Sequence, residues 1–312
     1  MGNGRRHLRV PHRIAAIALC LACGPSLAPD AAAPLAGCDA LGAPGAADVP
    51  GLVLVVNDTM RRDRVGAYGG SAATPRLDAF AAEHLLFRGA SSSAPWTKPS
   101  VASLFTSLHP SQHGVLTHPG SAWSRGASPK TDVLPDAFQT LAEVLRGHGF
   151  RTAAFVANPW MGKGFGYEQG FERYDDSFAR WDAPGDEVVD AGVAWLQGLA
   201  DHERFFLYLH TIDSHLPYGR LALSDLERAR ARPDDRPVPR EARRYLKRLR
   251  VEDGSTLFHH DVPLSLALIE AAYDRGIEAF DAAFGRLLDA EARVPALGRA
   301  ALVVTSDHGE AL

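Results

Sequence analysis

The feature of this chain that most restricts its fold is a set of four short apolar runs, Leu52 to Val56, Thr152 to Val156, Phe205 to Leu209 and Ala301 to Thr305. None of them alternates with charged residues. A strand of that kind is buried on both faces, as in parallel sheets covered by helices on each side. Helix-length segments lie between them: Pro75 to His84, Pro99 to Leu108, Asp136 to His148, Asp186 to Ala200 and Leu266 to Leu288. The alternation predicts an α/β fold, a mostly parallel central sheet with helices on both faces. Ligands of such sheets sit beyond the carboxyl ends of the strands. The first run ends in Asn57-Asp58, the third leads through His210 to Asp213 and His215, and the last ends in Ser306-Asp307-His308. Three polar clusters at three strand ends are therefore expected to converge on one site.

The first fifty residues differ from the rest. Arg5, Arg6, Arg9 and Arg13 precede the apolar run Ile14 to Ala22, and an Ala/Pro/Gly-rich stretch continues to Pro50. This reads as an export leader over 1–23 and a flexible linker over 24–50. The apolar run is shorter than the roughly 20 residues of a spanning helix. Leu35-Ala36-Gly37-Cys38 resembles a bacterial lipobox. The protein is thus expected to be exported, either tethered to a membrane through Cys38 or released into the periplasm or the medium. All the cysteines, Cys20, Cys23 and Cys38, lie in this region, so the domain from Gly51 onward contains neither disulfides nor thiolate metal ligands.

A net charge of −4 provides no field for nucleic acid. Any anion must be met locally. The expected organisation is one catalytic domain over 51–312 carrying a charged insertion over 219–262. Between Ser224 and Arg250 there are ten Lys/Arg against five Asp/Glu, with Pro233, Pro237 and Pro239 among them. Such a run reads as a solvated insertion or as a lid that meets an anionic substrate.

Several fragments carry chemistry: Val55-Val56-Asn57-Asp58-Thr59, Gly66-Ala67-Tyr68-Gly69, Thr74-Pro75-Arg76-Leu77-Asp78, Ala94-Pro95-Trp96-Thr97-Lys98-Pro99-Ser100, His109-Pro110 with His113-Gly114, and Thr305-Ser306-Asp307-His308-Gly309-Glu310. A loop Asp after the first strand and an Asp-His pair after the last supply hard oxygen and imidazole ligands for a divalent cation. In order and spacing these fragments resemble the sulfatases of the alkaline phosphatase superfamily. The resemblance runs from about Gly51 to Leu312 and implies an alkaline-phosphatase-like fold. It also implies a divalent metal ion (Ca, Mg, Mn or Zn) held by Asp58, Asp307 and His308. Asn57 stands where many members carry an Asp, and would offer a neutral oxygen.

By the same resemblance Thr97 occupies the nucleophile position, just before a helix whose N-terminus suits an anion. The alternative is that Thr97 caps that helix. Lys98 and Ser100 beside it would contact substrate. His215, in His210-Thr211-Ile212-Asp213-Ser214-His215, would bind the anion or assist the leaving group, with Asp213 orienting it or binding metal. Lys163 matches a substrate-binding lysine more weakly. The family's local motif is Cys/Ser-x-Pro-Ser/Ala-Arg, in which the first residue becomes formylglycine; this chain has Thr97-Lys98-Pro99-Ser100-Val101. Threonine cannot yield that aldehyde.

The expected activity is therefore metal-dependent hydrolysis of a sulfate or phosphate ester through an unmodified Thr97 hydroxyl. The substrate would be a sulfated or phosphorylated small molecule, glycan or lipid. The rivals are a phosphoethanolamine-type transferase acting on cell-envelope glycan or lipid, and an inactive protein that binds anionic glycans. Members of the family continue well beyond the matching Asp-His pair. The chain is accordingly expected to be the N-terminal, site-bearing part of a longer protein, with the C-terminal part of the fold missing.

Overall fold

A computed structural model describes residues 49–116, 133–231, 236, 238, 243, 246–247 and 249–310. The leader, Cys38 and nearly all of the linker lie outside the described residues. Five parallel strands form the sheet: β1 (Gly51–Asn57), β2 (Phe150–Val156), β3 (Arg173–Asp175), β4 (Arg204–Thr211) and β5 (Ala301–Thr305), in the order β3-β2-β4-β1-β5. Each apolar run became a strand, extended by up to two residues at an end. The short edge strand β3 was not expected, since three residues carry no periodicity.

Helices with described bounds are α1 (Pro75–Glu83), α2 (Thr97–Thr106), α3 (Pro110–His113), α4 (Leu141–Gly147), α5 (Gly185–Gln197), α6 (Leu223–Ala231) and α7 (Leu266–Asp289). On one face of the sheet Val53, Val55, Leu207 and Leu209 pack against Val188, Val189 and Val193 of α5 and Ile277, Phe280 and Phe284 of α7. On the other, Leu54, Val56, Phe206 and Tyr208 meet Val101, Ala102 and Phe105 of α2. Successive side chains of a strand point to opposite faces, so a helix-covered strand must be apolar at every position. Burying each such Val, Leu or Phe contributes about 1.5–3 kcal/mol.

Two helix starts bear on the site. Helix α2 begins at Thr97, two residues earlier than expected, with Trp96 at the N-cap and no side-chain cap. Pro99 fits within the first turn, where its missing N–H would have had no helical acceptor. Helix α4 starts late, at Leu141, because Thr140 and Glu143 form a reciprocal capping box.

The charged insertion has an apolar underside. Leu221, Leu226, Leu246, Leu249, Val251 and Leu257 gather on Leu268, Ile269 and Ala272 of α7. Its described part is thus docked on the domain through a small core of its own. Among the described residues no helix is long and apolar enough to cross a membrane.

Candidate active site

The parallel ladder carries β1 one residue past its end, where the Asp58 N–H donates to the Thr211 carbonyl at 3.0 Å. The two oxygens of the buried Asp58 carboxylate have different surroundings. Oδ2 accepts from the Thr97 hydroxyl at 3.3 Å, from His210 Nε2 at 3.3 Å and from Asn158 Nδ2. Oδ1 is buried and has no hydrogen-bond partner among the described residues.

Asp307 repeats the division. Its Oδ1 accepts from the backbone N–H groups of Thr59 at 3.2 Å and His308 at 2.9 Å, while Oδ2 is buried without a partner. His308 Nε2 stands 3.6 Å from Asp58 Oδ1 and 3.6 Å from Asp307 Oδ2. Its Nδ1 lies 2.8 Å from the Gly309 carbonyl, which can only accept, so Nδ1 carries the proton and Nε2 presents a lone pair. Two buried carboxylate oxygens and one imidazole lone pair, all within 4.8 Å of one another, are a donor set for a divalent cation. Burial first, and then the charge of Asp58, raise the Asp307 carboxyl well above the usual range. Burial would raise Asp58 too, but its hydrogen bond to His210 and the nearby histidine charges hold it low. Two carboxyls packed so closely both ionise readily only with a positive charge between them.

The backbone at this point is held in an unusual conformation. Thr59 has φ of 61°, a left-handed value that a β-branched residue rarely adopts. All its polar groups are engaged: the N–H with Asp307, the hydroxyl with the Ser214 carbonyl at 2.9 Å, and its carbonyl with the Tyr273 hydroxyl at 2.7 Å. Strain of this kind persists where the surroundings over-determine it.

Thr97, at 3% exposed, is the first residue inside α2 and not its cap. Its Oγ1 donates to Asp58, accepts from Asn158 Nδ2 at 3.1 Å and lies 3.4 Å from His308 Nε2. Ser100 does not point outward as a substrate contact would; its hydroxyl donates to the Asp307 carbonyl and ties α2 to the loop after β5. Lys98 is buried, with Nζ 3.4 Å over the Phe165 ring and 5.6 Å from that of Trp160. Val101, where the family motif has Arg, belongs to the core beneath α2.

His215 is half-buried on the same side, near enough for its charge to lower the Asp58 carboxyl. Its Nδ1 faces the Leu216 carbonyl at 2.7 Å and its ring stacks on Trp181 with centroids 5.0 Å apart. Three expected residues have other partners in the structure. The Asn57 amide donates to Ser214 Oγ at 3.0 Å and accepts from Thr211 Oγ1 at 3.1 Å, so it ties β1 to β4 and the segment after it. Asp213 turns to the start of α5, accepting from the Gly185 N–H at 2.9 Å; a Cβ at Gly185 would strike its Oδ2 at 2.2 Å. Lys163 is exposed and pairs with Asp176 at 3.7 Å.

Asn158 was not expected at the site, and His210 was expected only as part of the polar cluster at the end of the third strand, with no role of its own. Asn158 follows β2 and His210 lies one residue before the end of β4. The rule that polar residues at strand ends converge would have found Asn158 as well.

The family model described as Sulfatase matches residues 50–312. A human N-acetylgalactosamine-6-sulfatase is 32% identical over 145 residues, 45% of this chain and 26% of that protein. The solved phosphonate monoester hydrolase of Agrobacterium radiobacter superposes with a TM-score of 0.57 at 20% identity, covering 84% of this chain and 63% of that one. A protein of the alkaline phosphatase superfamily from Vibrio parahaemolyticus gives 0.53 at 14% identity, over 85% and 56%. The chain thus spans less than two thirds of the length of each of these relatives, and the two solved structures, below 25% identity, establish the α/β fold alone.

Proposed function

The chain belongs to the sulfatase family, and on that premise we propose that it cleaves sulfate or phosphate esters by attack of the Thr97 hydroxyl at an exported, metal-dependent site. The observation that carries this reading is the divided surroundings of Asp58: one oxygen accepts from Thr97 and the other is buried without a partner beside Asp307 and His308. A divalent cation bound by Asp58, Asp307 and His308 would supply the charge that favours an ionised Thr97 hydroxyl and the substrate's anionic oxygens.

The remaining chemistry belongs to the chain. The Thr97 proton has an acceptor in Asp58 Oδ2, and Asn158 donates to the oxygen on which negative charge develops. As the Thr97 oxygen bonds to the sulfur or phosphorus, the bond to the ester oxygen breaks. His215, when protonated on both nitrogens, gives its Nε2 proton to that oxygen; Nδ1 stays on the Leu216 carbonyl. Water then hydrolyses the Thr97 ester.

We favour phosphorus esters over aryl sulfates, because Thr97 cannot become formylglycine. The human relative, by its name, acts on a sulfated sugar, and the Agrobacterium relative on a phosphonate monoester. Assays of an aryl sulfate, a phosphate monoester and a phosphodiester, each with calcium, magnesium, manganese and zinc, test the reading. Faster cleavage of either phosphorus ester, with an unmodified Thr97 by mass spectrometry, supports it. A clear preference for the aryl sulfate overturns it. An alcohol added to the same assays detects transfer in place of hydrolysis.

A further inference from the structure

Two buried residues behind Asp58 belong to neither the nucleophile nor the cation ligands. Tyr208 and His210 follow one another on the same face of β4, both without exposed surface. The Tyr208 hydroxyl lies 2.7 Å from His210 Nδ1, and His210 Nε2 lies 3.3 Å from Asp58 Oδ2. The carboxylate oxygen can only accept, so Nε2 carries the ring's proton. When the ring is neutral, Nδ1 has only a lone pair and the tyrosine hydroxyl donates to it. The chain of hydrogen bonds has one direction, from Tyr208 through His210 to Asp58.

We propose that Tyr208 and His210 are positioning residues that orient Asp58, keeping Oδ2 turned to its hydrogen-bond donors and Oδ1 free for the cation. The proposal rests on the reading of Asp58 as a cation ligand. Asp58 has a rotatable side chain, and among the described residues its Oδ1 has no hydrogen bond, only His308 Nε2 at 3.6 Å. The donors to Oδ2 are Thr97, Asn158 and His210. Thr97 is engaged in the reaction, and Asn158 shares its Nδ2 between Asp58 and Thr97. Of the three, His210 is the one with no hydrogen bond to Thr97 and with a further partner, Tyr208, on its other ring nitrogen. Partners that orient metal ligands typically change metal affinity by about 10–100-fold when removed.

Tyr208 also packs in the aromatic cluster under α2, with its ring centroid 4.9 Å from that of Phe105. Tyr208→Phe therefore removes the hydroxyl and keeps the packing. The test is calorimetric titration of wild type, Tyr208→Phe, His210→Leu and His210→Gln with manganese and zinc chloride, with melting temperatures measured in chelator. The expected result is a dissociation constant raised about tenfold or more in His210→Leu and less in Tyr208→Phe. His210→Gln, which keeps an N–H near the Nε2 position, recovers part of the loss. A purely structural pair would lower the melting temperature in chelator and leave the dissociation constant unchanged. Dissociation constants within about twofold of wild type in Tyr208→Phe and in whichever His210 variants fold overturn the proposal. A wild-type protein that binds neither ion overturns the ligand reading itself, and this proposal with it, which is a distinguishable result.

Discussion

Thr97 Oγ1 stands 3.4 Å from His308 Nε2, although 211 residues separate them in sequence. The start of α2 and the loop after β5 meet only because β1 lies between β4 and β5, with α2 packed across the same face. The proposed nucleophile and the proposed cation ligands are therefore neighbours in the folded chain.

Thr97→Ala is expected to reduce ester cleavage by about a thousandfold or more, with stability altered by about 1 kcal/mol at most. Trp96, not Thr97, stands at the N-cap of α2, so no cap is lost. Steady-state kinetics paired with thermal melts decide it. Wild-type rates in the variant remove Thr97 from the mechanism, and a loss confined to stability makes it a structural residue.

Asp307 should make the metal-free protein sensitive to pH. Burial and the charge of Asp58 raise its carboxyl in the folded chain, so the folded state binds this proton more tightly than the unfolded one. Its stabilising contribution is fully present below the ordinary carboxylate range and is lost as pH rises toward the raised value. A divalent cation should cancel that decline. Asp307→Asn should flatten the melting-temperature profile in chelator and abolish the response to cation. Identical profiles for the two proteins would contradict this.

A second pH effect comes from Asp213, raised to about 7 chiefly by burial. Here too the proton is held more tightly in the folded chain. Stability from this group falls as pH increases from about 4, its usual value, to about 7. Asp213→Asn keeps an acceptor for the Gly185 N–H and should remove that slope. Melts at pH 4 to 8 in chelator, compared with wild type, would show an unchanged slope if the assignment is wrong.

Trp181 covers the His215 ring, with centroids 5.0 Å apart. Trp181→Ala should lower kcat about tenfold, or about 1.4 kcal/mol of barrier, by freeing His215 to rotate, and Trp181→Phe should retain most of the rate. The pH profile of kcat distinguishes this from a simple loss of substrate contact. A change in KM alone, with kcat and its pH profile intact, would assign Trp181 to binding.

Lys163, exposed and paired with Asp176, should be dispensable. Lys163→Ala is expected to leave kcat/KM within about twofold of wild type. A loss of tenfold or more would return Lys163 to the substrate site.

The apolar runs by themselves determined every strand but the short edge strand β3, since a segment apolar at every position has few ways to be buried other than between two helical layers. The order of motifs likewise marked Asp58, Thr97, Asp307 and His308, because their spacing relative to strand ends is written in the chain. Side-chain direction was not legible there. Asn57 and Asp58 are adjacent and chemically alike, yet one bridges β1 to β4 and the other faces Asp307 and His308, a choice made by the register with Thr211 and the contact with Ser214. Asp213 reads as a companion of His215, but the close approach of Gly185 drew it to the start of α5. Asn158 looked like an ordinary polar residue, and the partners of His210 were unknown, until the parallel sheet brought β2 and β4 beside β1. Local burial is set by local pattern; which oxygen of a carboxylate is satisfied depends on donors that only the completed sheet brings together.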